Sequence, residues 1–137
     1  MSKINPPSKY GGNKILLPKP TIEIEDFKYP IFCLKHIHNK FSLSQCTTEQ
    51  KCGLINKLHQ MSQSTWLDLI GTGRHKAGSE KILISSIKSQ VPNFITDEVN
   101  YLLAFRFYDM LPFLVHRNRF VCHIIFIDHS RNLYNHG

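Results

Sequence analysis

Arg106 is the residue in this sequence that most needs a reason. It sits in the run Tyr101–Phe107, YLLAFRF, which has the aromatic, apolar character of a strand. A guanidinium at mid-strand among apolar neighbours requires an ionic partner or an anionic ligand. Other acid–base types are Glu80, Lys81, His123, Tyr134 and His136. Together they could support one metal-free reaction. RNA is cleaved when its own 2′-hydroxyl attacks the adjacent phosphate, provided the protein neutralises the developing charge and moves two protons. Arg or Lys serves the first need. His, Glu or Tyr serves the others. On this reading Arg106 holds the phosphate, and Tyr134, His136 or Glu80 handles the protons, with Lys81 alongside. Arg74, Lys76, Arg117 and Arg119 are expected to bind the RNA backbone.

Each of these residues also has a plainer explanation. Arg74, His75 and Lys76 suit a solvated loop, Glu80 and Lys81 can pair with neighbours, and Tyr134 and His136 can fray with the chain end. His123, between Cys122 and Ile124, fits a satisfied core histidine as well as a catalytic one.

Familiar site patterns are missing. Arg117-x5-His123 straddles an expected hairpin, so it is not read as a nuclease motif. His36-Ile37-His38, if on a strand, would put its imidazoles on opposite faces. Cys46-x5-Cys52 is not a usual zinc spacing. Gly71-x-Gly73 lacks the third glycine and the preceding strand of a dinucleotide site. No metal and no nucleotide cofactor is expected.

Charge points to the same class of partner. The chain has 137 residues, with 17 Lys+Arg against 10 Asp+Glu, a net charge of +7. Polyanions, meaning RNA, DNA or an acidic protein segment, are the natural partners. All five arginines lie in the second half of the chain. Arginine suits bidentate phosphate contacts, so the site is sought there. No apolar run approaches the ~20 residues of a membrane helix, and the first residues have no apolar signal region. Four cysteines without Cys-x-x-Cys spacing fit a reducing compartment. A cytoplasmic location with no membrane partner is expected.

The elements that must position these residues can be read in order. Residues 1–28 are rich in Pro, Gly and Lys and read as an arm, in which Thr21–Glu25 could add a short edge strand. Residues 29–137 read as one α+β domain. Ile31–Ile37 is a strand. Thr47 and Gln50 form a capping box for a helix over about 48–62, with Cys52, Ile55, Leu58 and Met61 as its apolar stripe. Ser64 caps a second helix that Gly71-Thr72-Gly73 ends. Ile82–Ile87 is ambiguous between strand and helix. Tyr101–Phe107, Phe113–His116 and Phe120–Ile127 form an antiparallel meander. The expected fold is a helical hairpin on one face of an antiparallel sheet, in the order β-α-α-β-β-β.

With turns centred on Asp109-Met110 and Arg117-Asn118, Arg106 would lie opposite Phe113, and Phe113 opposite Cys122. Ala104, Arg106, Phe113, Val115, Phe120, Cys122, Ile124, Phe126 and Asp128 would then share the face away from the helices. Leu103, Phe105, Phe107, Leu114, His116, Val121, His123, Ile125 and Ile127 would meet the helices. A slip of one residue would exchange the faces.

This layout, with a mid-sheet Arg106 and a C-terminus bearing Tyr134 and His136, resembles the RelE/HigB/YoeB-like toxin superfamily over about residues 29–137. The resemblance implies a small basic ribonuclease of a toxin–antitoxin system, acting on RNA such as ribosome-bound mRNA and neutralised by a small antitoxin protein. It implies site residues at Arg106, at Lys76, Glu80 and Lys81 after the second helix, and at Tyr134 or His136. Two other readings of the residues stand beside it. One is a non-catalytic nucleic-acid-binding module using the same face. The other is a phage or mobile-element accessory protein that binds a partner without chemistry.

Overall fold

The computed structural model describes residues 28–70 and 79–136. Residues 1–27 of the arm, with the Thr21–Glu25 segment, and Gly71–Gly73, Arg74 and Lys76 lie outside them. Strand β1 spans Ile31–Cys33, and helix α1 spans Thr48–Ser62. The capping box forms as its sequence requires. The Gln50 backbone N–H donates to Thr47 Oγ1 at 3.1 Å, and the Thr47 N–H donates to Gln50 Oε1 at 2.9 Å. The short helix α2, Trp66–Ile70, is capped by Thr65 rather than Ser64. Thr65 Oγ1 accepts from the Asp68 N–H at 3.1 Å, while the Ser64 hydroxyl turns back to the Gln60 carbonyl.

The ambiguous run resolves into strand β2, Glu80–Leu83, and a 3-10 turn at Ile84–Ser86. Strands β3 (Tyr101–Tyr108), β4 (Leu111–Asn118) and β5 (Val121–Ile127) form the meander. The chain is therefore α+β with the expected element order. The sheet, however, is mixed rather than antiparallel. Its order is β1-β5-β4-β3-β2, and β1 runs parallel to β5 from Ile31 beside Val121 to Cys33 beside His123. No tight turn ties β1 to its neighbour, so meander signals carry no information on its direction. β1 is also shorter than the expected Ile31–Ile37, and beyond Cys33 the chain turns until the His38 N–H reaches the Ile125 carbonyl at 2.8 Å.

Two bulges reset the faces. The first turn falls at Asp109-Met110 as expected, with Asp109 at φ 50°. Phe107 bulges out of the β3–β4 ladder, which puts Arg106 opposite Pro112 and Phe105 opposite Phe113. The second turn is Arg119-Phe120, with Arg119 at φ 62°, not Arg117-Asn118. Ile125 bulges from β5, between the pairs Val115–Ile124 and Leu114–Phe126. A bulge places one extra residue against its partner strand and shifts the alternation beyond it. Phe113, Val115, Cys122 and Ile124 consequently join Leu103, Phe105 and Phe107 under the helices. Leu114, Ile125 and Phe126 join Ala104 on the opposite side.

The helix-side core packs Leu54 and Met61 of α1, and Trp66 and Leu69 of α2, on that sheet face. The apolar stripe of α1 is Leu54, Leu58 and Met61, at the i, i+4, i+7 spacing of one helix face, whereas Ile55 is 59% exposed. Gly53 lets the helix come close, because a Cβ there would stand 2.7 Å from the Phe107 carbonyl oxygen. The opposite face is covered by Ile82, Ile87 and Ile95 from the β2–β3 segment and by Leu133 and Tyr134 from the C-terminal segment.

Candidate functional site

Arg106 lies on the face away from the helices, where the β2–β3 ladder determines its neighbour. Glu80 pairs with Ala104, so its side chain stands diagonally beside Arg106 on the same face. Arg106 Nη2 and Glu80 Oε1 are 3.4 Å apart, with the two side chains 31% and 52% exposed. Lys81 pairs with Leu103 and takes the other face. Its ammonium lies over the Tyr101 ring, 4.8 Å from the centroid, so it reaches the site only at the rim.

The C-terminal segment closes the site from the other side. Asp128 follows β5 and is fully buried. Its Oδ1 accepts the Asn132 N–H at 3.2 Å and its Oδ2 accepts the Leu133 N–H at 3.1 Å. Those bonds reverse the chain, with Arg131 at φ 60°, and the Leu133 carbonyl then receives the Lys88 N–H at 2.8 Å. The reversal brings Tyr134 and His136 beside Arg106. Their rings lie 4.2 Å apart, and His136 Nε2 is 3.8 Å from Asp128 Oδ2, beyond hydrogen-bonding distance. Glu80, Lys81, Ser86, Arg106, Tyr134, Asn135 and His136 line one shared pocket.

Three buried polar atoms converge there without a hydrogen bond of good geometry, namely Arg106 Nη1, Tyr134 Oη and His136 Nε2, although Arg106 stands close enough to act on the Tyr134 hydroxyl. Buried donors and acceptors are normally satisfied, and a cluster of exceptions marks a place built for something other than stability. Burial raises the Tyr134 pKa. The adjacent Arg106 opposes that shift, and Glu80 and Asp128 add to it. Burial lowers the His136 pKa, with Arg131 and Arg106 in the same direction and Asp128 and Glu80 against. At neutral pH Tyr134 is a protonated hydroxyl and His136 a neutral imidazole.

Of the expected RNA-backbone residues, Arg117 and Arg119 lie elsewhere, and Arg74 and Lys76 fall outside the described residues. Arg117 packs its guanidinium over Trp66, 4.2 Å from the ring centroid, and its Nε donates to the Arg119 carbonyl at 2.7 Å. Both arginines sit at the β4–β5 turn, at the far end of the strands from Arg106.

A second group on the Arg106 face escaped sequence reasoning. His116 and His123 are direct partners in the β4–β5 ladder, with ring centroids 6.2 Å apart and planes at 19°. His36 reaches them from the turn after β1 and stacks on Phe94 at 3.9 Å. His36 is not on a strand, so the alternation argument against its pairing with His38 does not apply. His38 instead packs against Phe41 and Phe126. His123 is only partly buried, and its Nδ1 has no hydrogen-bond partner. Had the second turn been placed at Arg119-Phe120, the sequence would have shown His116 opposite His123. Nothing in the sequence announces Phe94. Among the described residues no group of three or more His, Cys, Asp or Glu side chains is arranged to hold a metal ion, and no helix is long and apolar enough to cross a membrane.

Compared with protein-family models, curated proteins and solved structures, the chain matches none.

Proposed function

We propose that this chain is a metal-independent endoribonuclease of the RelE/HigB/YoeB-like toxin type, acting in the cytoplasm and held in check by a small antitoxin protein. The observation that carries the reading is the convergence of Glu80, Arg106, Tyr134 and His136, far apart in sequence, on one pocket. The net charge of +7 supplies long-range attraction for RNA.

The chemistry follows from what each group presents. Arg106 turns from Glu80 onto the scissile phosphate and stabilises the charge that builds on its oxygens. This movement uncovers the Tyr134 hydroxyl behind it. The 2′-oxygen forms a bond to phosphorus as its proton passes to the Glu80 carboxylate, the more exposed member of the Arg106–Glu80 pair. The bond from phosphorus to the 5′-oxygen breaks, and Tyr134 gives that oxygen its proton. The products are a 2′,3′-cyclic phosphate and a 5′-hydroxyl end, and exchange with water restores both groups. Neutral His136, packed at a tilt against the Tyr134 ring, orients the phenol.

The test is incubation of the purified protein with RNA in EDTA, with end mapping of the products and growth measured on induced expression. Cyclic phosphate and 5′-hydroxyl ends are expected, along with growth arrest. Arg106→Ala should lower the rate by ~10²–10³ while the protein stays folded. Full activity in Arg106→Ala, or loss of cleavage in EDTA, rules out the mechanism. A wild type that cuts no RNA and arrests no growth rules out the toxin reading in favour of a binding module.

A further inference from the structure

We propose that Phe94, His36 and His123 form a stacking platform for an unpaired nucleobase, separate from the Arg106 pocket and engaging the same RNA strand. The inference rests on the reading that the chain binds RNA. Rings from four places in the chain meet here. His36 comes from the turn after β1, Phe94 from the segment before β3, His116 from β4 and His123 from β5. Phe94 lies 3.9 Å from His36, 5.3 Å from His123 and 6.0 Å from His116.

Three features separate this cluster from ordinary core. Phe94 is 38% exposed, so the cluster reaches solvent through this ring rather than being closed off. His123 Nδ1 is buried in the cluster with no partner, a hydrogen-bonding group that a base edge can satisfy. Burial also lowers the pKa of His116 and of His123, and for His123 the neighbouring His116 and His36 push the same way. Neutral imidazoles offer π surfaces rather than point charges, which suits a base better than a phosphate.

Position ties the platform to the pocket. Arg106 pairs with Pro112, and His116 lies four residues further along β4 on the same face, a span of ~13 Å. That is the reach of a few nucleotides of single strand. The cluster's aromatic, uncharged character fits stacking, while the chain's excess positive charge accounts for backbone attraction.

The test uses the full chain and short single-stranded oligonucleotides made of 2′-O-methyl RNA, which cannot be cleaved. One position at a time is made abasic, and affinity is read by fluorescence anisotropy. One abasic position should weaken binding to the wild type by about 5- to 150-fold, the range for one stacked base. Phe94→Ala should weaken binding of the intact oligonucleotide by a similar factor and be indifferent to that abasic position, while Phe94→Trp should retain affinity. If no abasic position matters to the wild type, the proposal is overturned without any mutant having to fold. It is also overturned if Phe94→Ala binds as tightly as the wild type. Cleavage without base dependence removes the platform and leaves the nuclease. Base-dependent binding without cleavage does the reverse.

Discussion

The two faces of the sheet differ in chemistry more than in burial. Under the helices lie Leu54, Met61, Trp66, Leu69, Phe105 and Phe113, an apolar layer that asks nothing of any ligand. Across the sheet, apolar side chains such as Ile125 and Phe126 share space with Arg106, Asp128, Tyr134 and six histidines, His36, His38, His116, His123, His129 and His136. Five of the six buried polar atoms without partners among the described residues belong to this second side, and the sixth is the Trp66 indole nitrogen. Stability alone would favour two apolar layers, since each unpaired buried polar group costs about 1–3 kcal/mol. The faces thus divide the work, one holding the fold and the other carrying groups whose partners are to be supplied.

The division breaks most sharply with Phe113→Ala. Phe113 is fully buried and packs against Phe105 and Phe107 at 5.8 and 6.2 Å between centroids. Its truncation should cost about 3–5 kcal/mol, read as a lower denaturant midpoint. Arg106→Ala, on the other face, should leave that midpoint close to the wild type's. Equal losses in the two variants would mean that Arg106 serves the core and that the faces are not divided.

Asp128→Ala tests the border between the two roles. The carboxylate accepts two backbone N–H groups and so determines where Tyr134 and His136 stand. Removing it strands those donors, at about 1–3 kcal/mol for each that stays buried. Hydrogen exchange should rise in residues 129–136 and remain slow in β3 and β4. RNA cleavage should fall with kcat rather than KM, because positioning is lost while the phosphate-binding Arg106 remains. Uniform exchange across the sheet would instead make Asp128 a general structural group.

What the sequence made legible follows from how local each signal is. The α1 cap is written in Thr47 and Gln50, and the meander in three apolar runs split by polar turns, so both are readable. The bulges at Phe107 and Ile125 carry no residue signature. Strict alternation through the Phe107 bulge therefore puts Phe113 on the wrong face, and a second turn placed two residues early hides the pairing of His116 with His123. Arg106 was legible because a charge inside an apolar strand is anomalous wherever it points. Its neighbours were legible by type only. That Glu80 stands beside it depends on the β2 register, and the approach of Tyr134 and His136 depends on the buried turn at Asp128. The parallel setting of β1 depends on how two helices return the chain, which no short window contains.

Gly53→Ala sharpens the comparison at the helix side. In a free helix the change would be favourable by roughly 0.5–1 kcal/mol. Here the new methyl meets the Phe107 carbonyl at 2.7 Å and the Tyr108 ring at 3.3 Å. Backbone cannot yield as a flexible side chain does, so a net loss of about 1–3 kcal/mol is expected from overpacking. A stabilised variant in thermal melts would show that α1 is free to lift from β3, and that the helix face is less tightly specified than its apolar composition implies.

The smallest expected effect is the response to acid, which distinguishes the faces without removing any contact. Burial lowers the pKa of His38, His116, His123 and His136 below the ordinary 6.5. Between the folded and unfolded values the unfolded chain holds more protons, so these groups contribute stability that is fully present above about pH 6.5 and is lost as pH falls through their folded values. All of them belong to the Arg106 side. On the helix side the buried Cys122 thiol is pushed up to about 12 from 9.0, which costs stability only at the alkaline end, as pH rises from about 9 toward 12. The melting temperature should therefore drop between pH 7.5 and pH 5. His116→Gln, which removes a titrating ring from the β4–β5 pair, should flatten part of that drop while changing the melting temperature at pH 7.5 by less. The Phe113→Ala protein, though weaker throughout, should keep the wild type's acid slope, because its lesion lies on the face without these histidines. An unchanged acid slope in His116→Gln, or a flattened one in Phe113→Ala, would show that the acid sensitivity does not reside on the polar face.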